Sequence, residues 1–93
     1  MPVTAVVPGR TPYVGKEQIT GLSSSKSLTP PAGAGWCILK PKTQGVYVNL
    51  GGTAATSADM LISADIPLQV TSDLNGVRIL EAAASATVDV WYF

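Results

Sequence analysis

Short apolar runs, each rich in Val, Ile, Leu, Thr or an aromatic residue and closed by Gly, Pro, Asn or Asp, recur at regular spacing from residue 18 onward. Runs this short suit strands better than helices, and a regular series of them predicts an all-β sandwich or barrel. The 93 residues suffice for one modest core and no second domain. Cores of this size are often supported by disulfides, metals or association with other chains. Cys37 is the only cysteine and histidine is absent, which rules out an intrachain disulfide and removes the usual zinc ligands. Association remains. It fits a chain in which 46% of residues are apolar and only 13% charged, too few charges for the surface of a free monomer.

Residues 1–17 read as an extended N-terminal arm, since Pro2, Pro8 and Pro12 remove backbone donors and Gly9 and Gly15 loosen the chain between them. Val3 to Val7 is the part able to form an edge strand. The arm's candidate partner-binding residues are Val3, Val6, Val7, Arg10 and Tyr13. Residues 18–93 form the single β-sandwich domain. Within it, short runs at Ile19–Leu22 and Lys26–Thr29 flank a polar Ser23-Ser24-Ser25 linker, and the Pro30 to Gly35 stretch is a loop. Trp36 to Lys40 predicts a buried central strand stopped by Pro41, and Gln44-Gly45 turns the chain into Val46 to Leu50. Thr53 to Asp65 reads as a loop with a short strand near Met60. Beyond it, Ile66, Leu68 and Val70 alternate with polar residues, and the Asn75-Gly76 pair predicts a hairpin into Val77 to Leu80. Pro67 places the first of these strands at an edge or at its own start.

Thr87 to Phe93 alternates in the same way and carries half of the six aromatic residues. Each aromatic buries about 150–250 Å² when packed, so the segment has to be paired into a sheet. Trp91 and Phe93 fall on one face and Tyr92 on the other. One face can close the core while the other meets a second copy, or both can be buried within the chain. On the first alternative, Trp91, Tyr92 and Phe93 are the candidate oligomer interface.

Net charge is zero, which argues against a nucleic-acid partner. The distribution is uneven: Arg10, Lys16, Lys26, Lys40 and Lys42 precede residue 43 with one acid, Glu17, whereas Asp59, Asp65, Asp73, Glu81 and Asp89 follow it with one base, Arg78. The halves can neutralise each other within one sandwich or steer one subunit onto another. No apolar run reaches the roughly 20 residues of a membrane helix, so a membrane partner is not expected. Met1 to Thr4 lacks the pattern of a secretion signal, which places synthesis and assembly in the cytoplasm.

Catalytic patterns are missing. Without histidine there is no Ser-His-Asp or Cys-His system. Ser23-Ser24-Ser25-Lys26 has Ser-x-x-Lys spacing, but the motifs that accompany it are absent, so it reads as a polar turn. The glycines form no phosphate cradle, and Asp59, Asp65 and Asp73 are spaced too widely for a calcium loop. No catalytic residue, metal site or cofactor is expected. Tyr13, Trp36, Tyr47 and Trp91 could stack on sugars or bases, though core packing suits them better.

Ser27-Leu28-Thr29-Pro30-Pro31-Ala32-Gly33-Ala34, then Gly51-Gly52-Thr53-Ala54-Ala55-Thr56, then Val77-Arg78-Ile79-Leu80 and a closing Ala86 to Tyr92 strand resemble small virion proteins of tailed bacteriophages. The resemblance covers residues 18–93, with Ala55 standing where those proteins usually have proline. It implies a jelly-roll-like antiparallel β-sandwich that assembles symmetrically, often as a homotrimer, on the major capsid protein of a phage shell. The expected role is a non-enzymatic capsid decoration, or cement, protein on the virion surface, with the arm laid on a neighbour. A tail or fibre-associated protein and a carbohydrate-binding β module are the alternatives.

Overall fold

The computed structural model describes residues 13–93. Among them, eight strands fold into two four-stranded antiparallel sheets: β1 (Gly15–Ile19), β2 (Lys26–Ser27), β3 (Cys37–Lys42), β4 (Val46–Asn49), β5 (Met60–Ile62), β6 (Leu68–Val70), β7 (Arg78–Glu81) and β8 (Thr87–Tyr92). The first sheet runs β1-β8-β3-β6 and the second β2-β7-β4-β5. The all-β sandwich expected from the alternating runs is the observed architecture. Its pairing is nested: the first strand lies beside the last, the second beside the seventh, the third beside the sixth and the fourth beside the fifth. All but one of the connections therefore cross from one sheet to the other.

Alternation dictates which side chains meet in the middle. Cys37, Leu39, Val88, Val90 and Tyr92 from the first sheet are buried, and Val46, Val48, Ile62 and Ile79 from the second join them in one core cluster. Leu22, Leu28, Leu74 and Val77 cap that core from the connections. Glu17 on β1 also points inward, at the sheet's edge. Its Oε2 accepts hydrogen bonds from the Tyr92 hydroxyl and, at 2.9 Å, from the Thr29 backbone N–H. The carboxylate thus fastens β8 and the β2–β3 connection to β1.

Four sequence expectations are revised. First, Gly15 to Glu17, assigned to the arm, belong to β1 and lie opposite Tyr92, Trp91 and Val90; the rest of the arm before Tyr13, including the possible Val3–Val7 strand, lies outside the described residues. Second, β3 continues through Pro41 to Lys42. Pro41 accepts from the Asp65 N–H, so its carbonyl, and with it the ring nitrogen, faces away from β8 and beyond the three residue pairs that join β3 to β6. No ladder donor is lost, which is the condition for proline within a sheet.

Third, Val46 and Val48 are buried in β4, but Leu50, expected to belong to the same run, follows the strand's end and is exposed. Fourth, β6 and β7 are no hairpin, because β6 pairs with β3 in one sheet and β7 with β4 and β2 in the other. A tight hairpin turn at Asn-Gly needs positive φ at both residues. Neither Asn75 nor Gly76 has it; Leu74 to Gly76 instead form a 3-10 turn, with the Asp73 carboxylate accepting from the Asn75 N–H at 3.0 Å. Gly76 eases a close approach: a Cβ there would lie 3.1 Å from the Leu50 carbonyl. The edge position and late start expected for the strand after Pro67 do hold, since β6 begins at Leu68 and ends its sheet.

Candidate interaction surface

The outer face of the first sheet is built from three rows. Lys16, Trp91, Ile38 and Gln69 lie side by side across β1, β8, β3 and β6; Gln18, Asp89 and Lys40 form the next row, and Thr87 and Lys42 the last. The Lys16 ammonium stands 5.4 Å from the Trp91 ring centroid, a cation–π contact. Asp89 is almost buried between these neighbours, accepting from Gln18 Nε2 at 3.2 Å and standing 3.9 Å from Lys42 Nζ. The ion pair joins the basic and acidic halves of the chain within one molecule. With three lysines around one aspartate, this face carries positive charge.

At the end where β1 begins, Trp36 stacks on Phe93 with ring centroids 4.4 Å apart, and Tyr13 meets Phe93 edge-on at 5.9 Å. Backbone bonds clamp the same place, Phe93 N–H donating to the Trp36 carbonyl at 2.9 Å and Trp36 N–H to the Phe93 carbonyl at 3.1 Å. The three aromatic residues proposed for an interface therefore have different fates. Tyr92 is enclosed in the core and Phe93 is buried beneath Trp36, which leaves only Trp91 part-exposed. Tyr92 and Phe93 present no surface to a second copy, because the core and the clamp at Trp36 consume both. Among the arm residues, Tyr13 is exposed beside Phe93, and Val3, Val6, Val7 and Arg10 lie outside the described residues.

The second sheet carries the apolar surface that sequence reasoning missed. Leu61, Tyr47 and Leu80 lie in one row on its outer face, across β5, β4 and β7. Among the described residues, Leu50, Met60, Leu61 and Ile66 are four of the five large apolar residues that are exposed; Met60 and Leu61 lie in β5, Leu50 directly after β4 and Ile66 in the β5–β6 connection. Met60-Leu61-Ile62 is an apolar triplet without alternation, which does not tell which of the three ends at the surface.

The remaining polar groups have structural tasks. The Ser25 hydroxyl accepts from the Ala55 N–H at 3.0 Å, and Asp59 accepts from Thr56 N–H at 2.7 Å and Asn49 Nδ2 at 3.0 Å, so both fasten the β4–β5 connection. Burial, reinforced by the charge of Glu17, pushes the Cys37 thiol up to about 12, the opposite of a reactive cysteine. Burial and then the Glu17 carboxylate hold the Tyr92 phenol well above its ordinary range. Among the described residues there is no pocket, no cluster of metal-ligating side chains, and no helix long and apolar enough to cross a membrane. Comparisons with protein-family models, with curated proteins and with solved structures found no match.

Proposed function

We propose that the chain is a non-enzymatic structural protein of a tailed-phage virion, which decorates and stabilises the capsid by associating with copies of itself and with the major capsid protein. The observation that carries this reading is the exposure of Leu61, 55%, at the end of the Leu80-Tyr47-Leu61 row on the outer face of the second sheet. A run of apolar side chains left at the surface on one face marks a surface that is covered in use. The resemblance to small virion proteins supplies the setting, and the nested strand order is the one a jelly roll has when a long antiparallel hairpin is wound into two sheets. The positive face around Lys16, Lys40 and Lys42 suits contact with an acidic shell protein.

The test is sedimentation of the full chain with purified phage capsids, beside a form lacking residues 1–12. Removing residues to 17 would also delete the part of β1 that pairs with Tyr92, Trp91 and Val90. Co-sedimentation of the full chain, weakened in the shorter form, supports the reading. A chain that stays in the supernatant with every capsid tried refutes it.

A further inference from the structure

The four sheet edges differ in how they are protected. β1 carries Lys16, Glu17 and Gln18; β2 is two residues long and includes Lys26; β6 starts directly after Pro67 and exposes Gln69. Charge, brevity and proline are the usual means of keeping an edge from pairing with another chain. β5 is as short as β6 but has neither charge nor proline, and Met60 and Leu61 are 44% and 55% exposed.

Its backbone is also oriented to receive a strand. The Ile62 carbonyl points toward β4, where a Cβ added to Gly45 would lie 2.9 Å from it. Because successive peptide groups of a strand point to opposite sides, the Leu61 N–H and C=O face the edge that no strand among the described residues pairs.

We infer that two copies of the chain pair at this edge, β5 against β5, antiparallel about a two-fold axis through Leu61. The inference rests on the self-association in the proposed function and specifies its contact. Leu61 of each copy would exchange both backbone hydrogen bonds with Leu61 of the other, and Met60 would face Ile62. On the outer face, the Leu80-Tyr47-Leu61 row would meet the same row of the second copy and form one continuous apolar band.

Charge permits this register. Continued outward, it sets Asp59 against Ser63 and Asp65 against Ser57, so no acid faces an acid. The contact is isologous and closes on itself as a pair. With three residues per edge, it belongs to the small class of interfaces, below roughly 1,200 Å² in total, so the pair forms and dissolves with concentration. Copies held side by side on a shell would be driven together by their effective concentration.

Analytical ultracentrifugation of the full chain from about 1 μM to about 1 mM tests the inference, this range spanning weak association. The expected result is a mass rising from that of one 9.6-kDa chain toward two, with Leu61→Arg weakening the pairing about tenfold or more by placing like charges opposite each other. Leu61 is exposed, so the substitution spares the core, and Ser27→Arg on the β2 edge should leave the pairing unchanged. A second variant locates the axis. In Leu61→Cys, the two introduced thiols would face each other across about 5.5 Å between Cα atoms, within disulfide range, and mild oxidation should link two chains. Cys37, fully buried, does not compete.

A mass that stays at one chain, a three-chain species, or pairing unaffected by Leu61→Arg overturns the inference, as does a Leu61→Cys variant that pairs without cross-linking. A monomer that still sediments with capsids would defeat the pairing and spare the virion reading. A cross-linked pair that ignores capsids would do the reverse.

Discussion

Replacing Tyr92 by Phe removes one hydroxyl and nothing else of consequence. The ring is 1% exposed and packed in the core, and Phe fills the same place, so no cavity opens. What disappears is the hydrogen bond from the Tyr92 hydroxyl to the Glu17 carboxylate. Bonds to charged groups contribute about 1.5–3 kcal/mol. Glu17 is only half-buried and keeps the Thr29 N–H at 2.9 Å, so water can partly replace the lost donor and the lower part of the range applies, about 1.5–2 kcal/mol. For a domain of this size that corresponds to a fall in Tm of roughly 6–16 °C. Urea unfolding followed by the fluorescence of Trp36 and Trp91 measures it directly. In a double-mutant cycle with Glu17→Gln, a coupling of about 1 kcal/mol or more is expected, since the two groups touch. A cost for Tyr92→Phe below about 0.5 kcal/mol, the scatter of neutral substitutions, together with no coupling to Glu17, would refute the fastening role assigned to this carboxylate.

Two further outcomes follow from buried groups. In the unfolded chain the Cys37 thiol ionises near its ordinary 9.0, whereas in the fold it holds its proton to about 12. The stability tied to this neutral thiol is whole below pH 9.0 and is lost as pH rises toward 12. Tyr92, shifted in the same direction, adds to the alkaline loss, so unfolding midpoints should fall above pH 9 and a thiol reagent at pH 8 should label the native chain far more slowly than the urea-unfolded chain. Rapid labelling of the native protein would contradict the burial of Cys37. Gly45→Ala should cost about 1–2 kcal/mol through overpacking, because its Cβ would press on the Ile62 carbonyl at 2.9 Å and backbone has little room to yield; an unchanged urea midpoint would show that β5 gives way freely.

Strand content was legible in the sequence where alternation was strict, and topology was not. Val88, Val90 and Tyr92 announce a half-buried strand by period alone, and the large aromatics demand that it be paired. Nothing local reveals that β8 sits between β1 and β3. Asn75-Gly76 misled for the same reason: a turn signal describes the backbone's permitted angles, but the chain's destination depends on which sheet offers the next strand an edge. Glu17 lies in a segment whose prolines and glycines suggested an arm, and its partners, Tyr92 and Thr29, are distant in sequence and brought near only by the completed sandwich. The exposed β5 edge was hidden by its surroundings, where Thr, Ser and Ala dilute any periodic pattern. Exposure, moreover, is a property of the assembled surface and has no signature in three apolar residues.

The nested pairing makes the sandwich indivisible. In a simple meander the final strand is an edge, and its loss trims the sheet. Here a chain cut before Thr87 would leave β1 with no neighbour and deprive β3 of the longer of its two ladders, splitting the first sheet down its middle. A cut within the Gly45 turn would separate three of the four nested pairs onto different pieces, and of those pairs only β4 and β5 would remain on one piece. A protease that nicks a connection therefore either leaves the whole unit held together by its ladders or dismantles it entirely. For a protein whose proposed task is to keep a particle closed, that all-or-none integrity is the mechanical property its winding supplies.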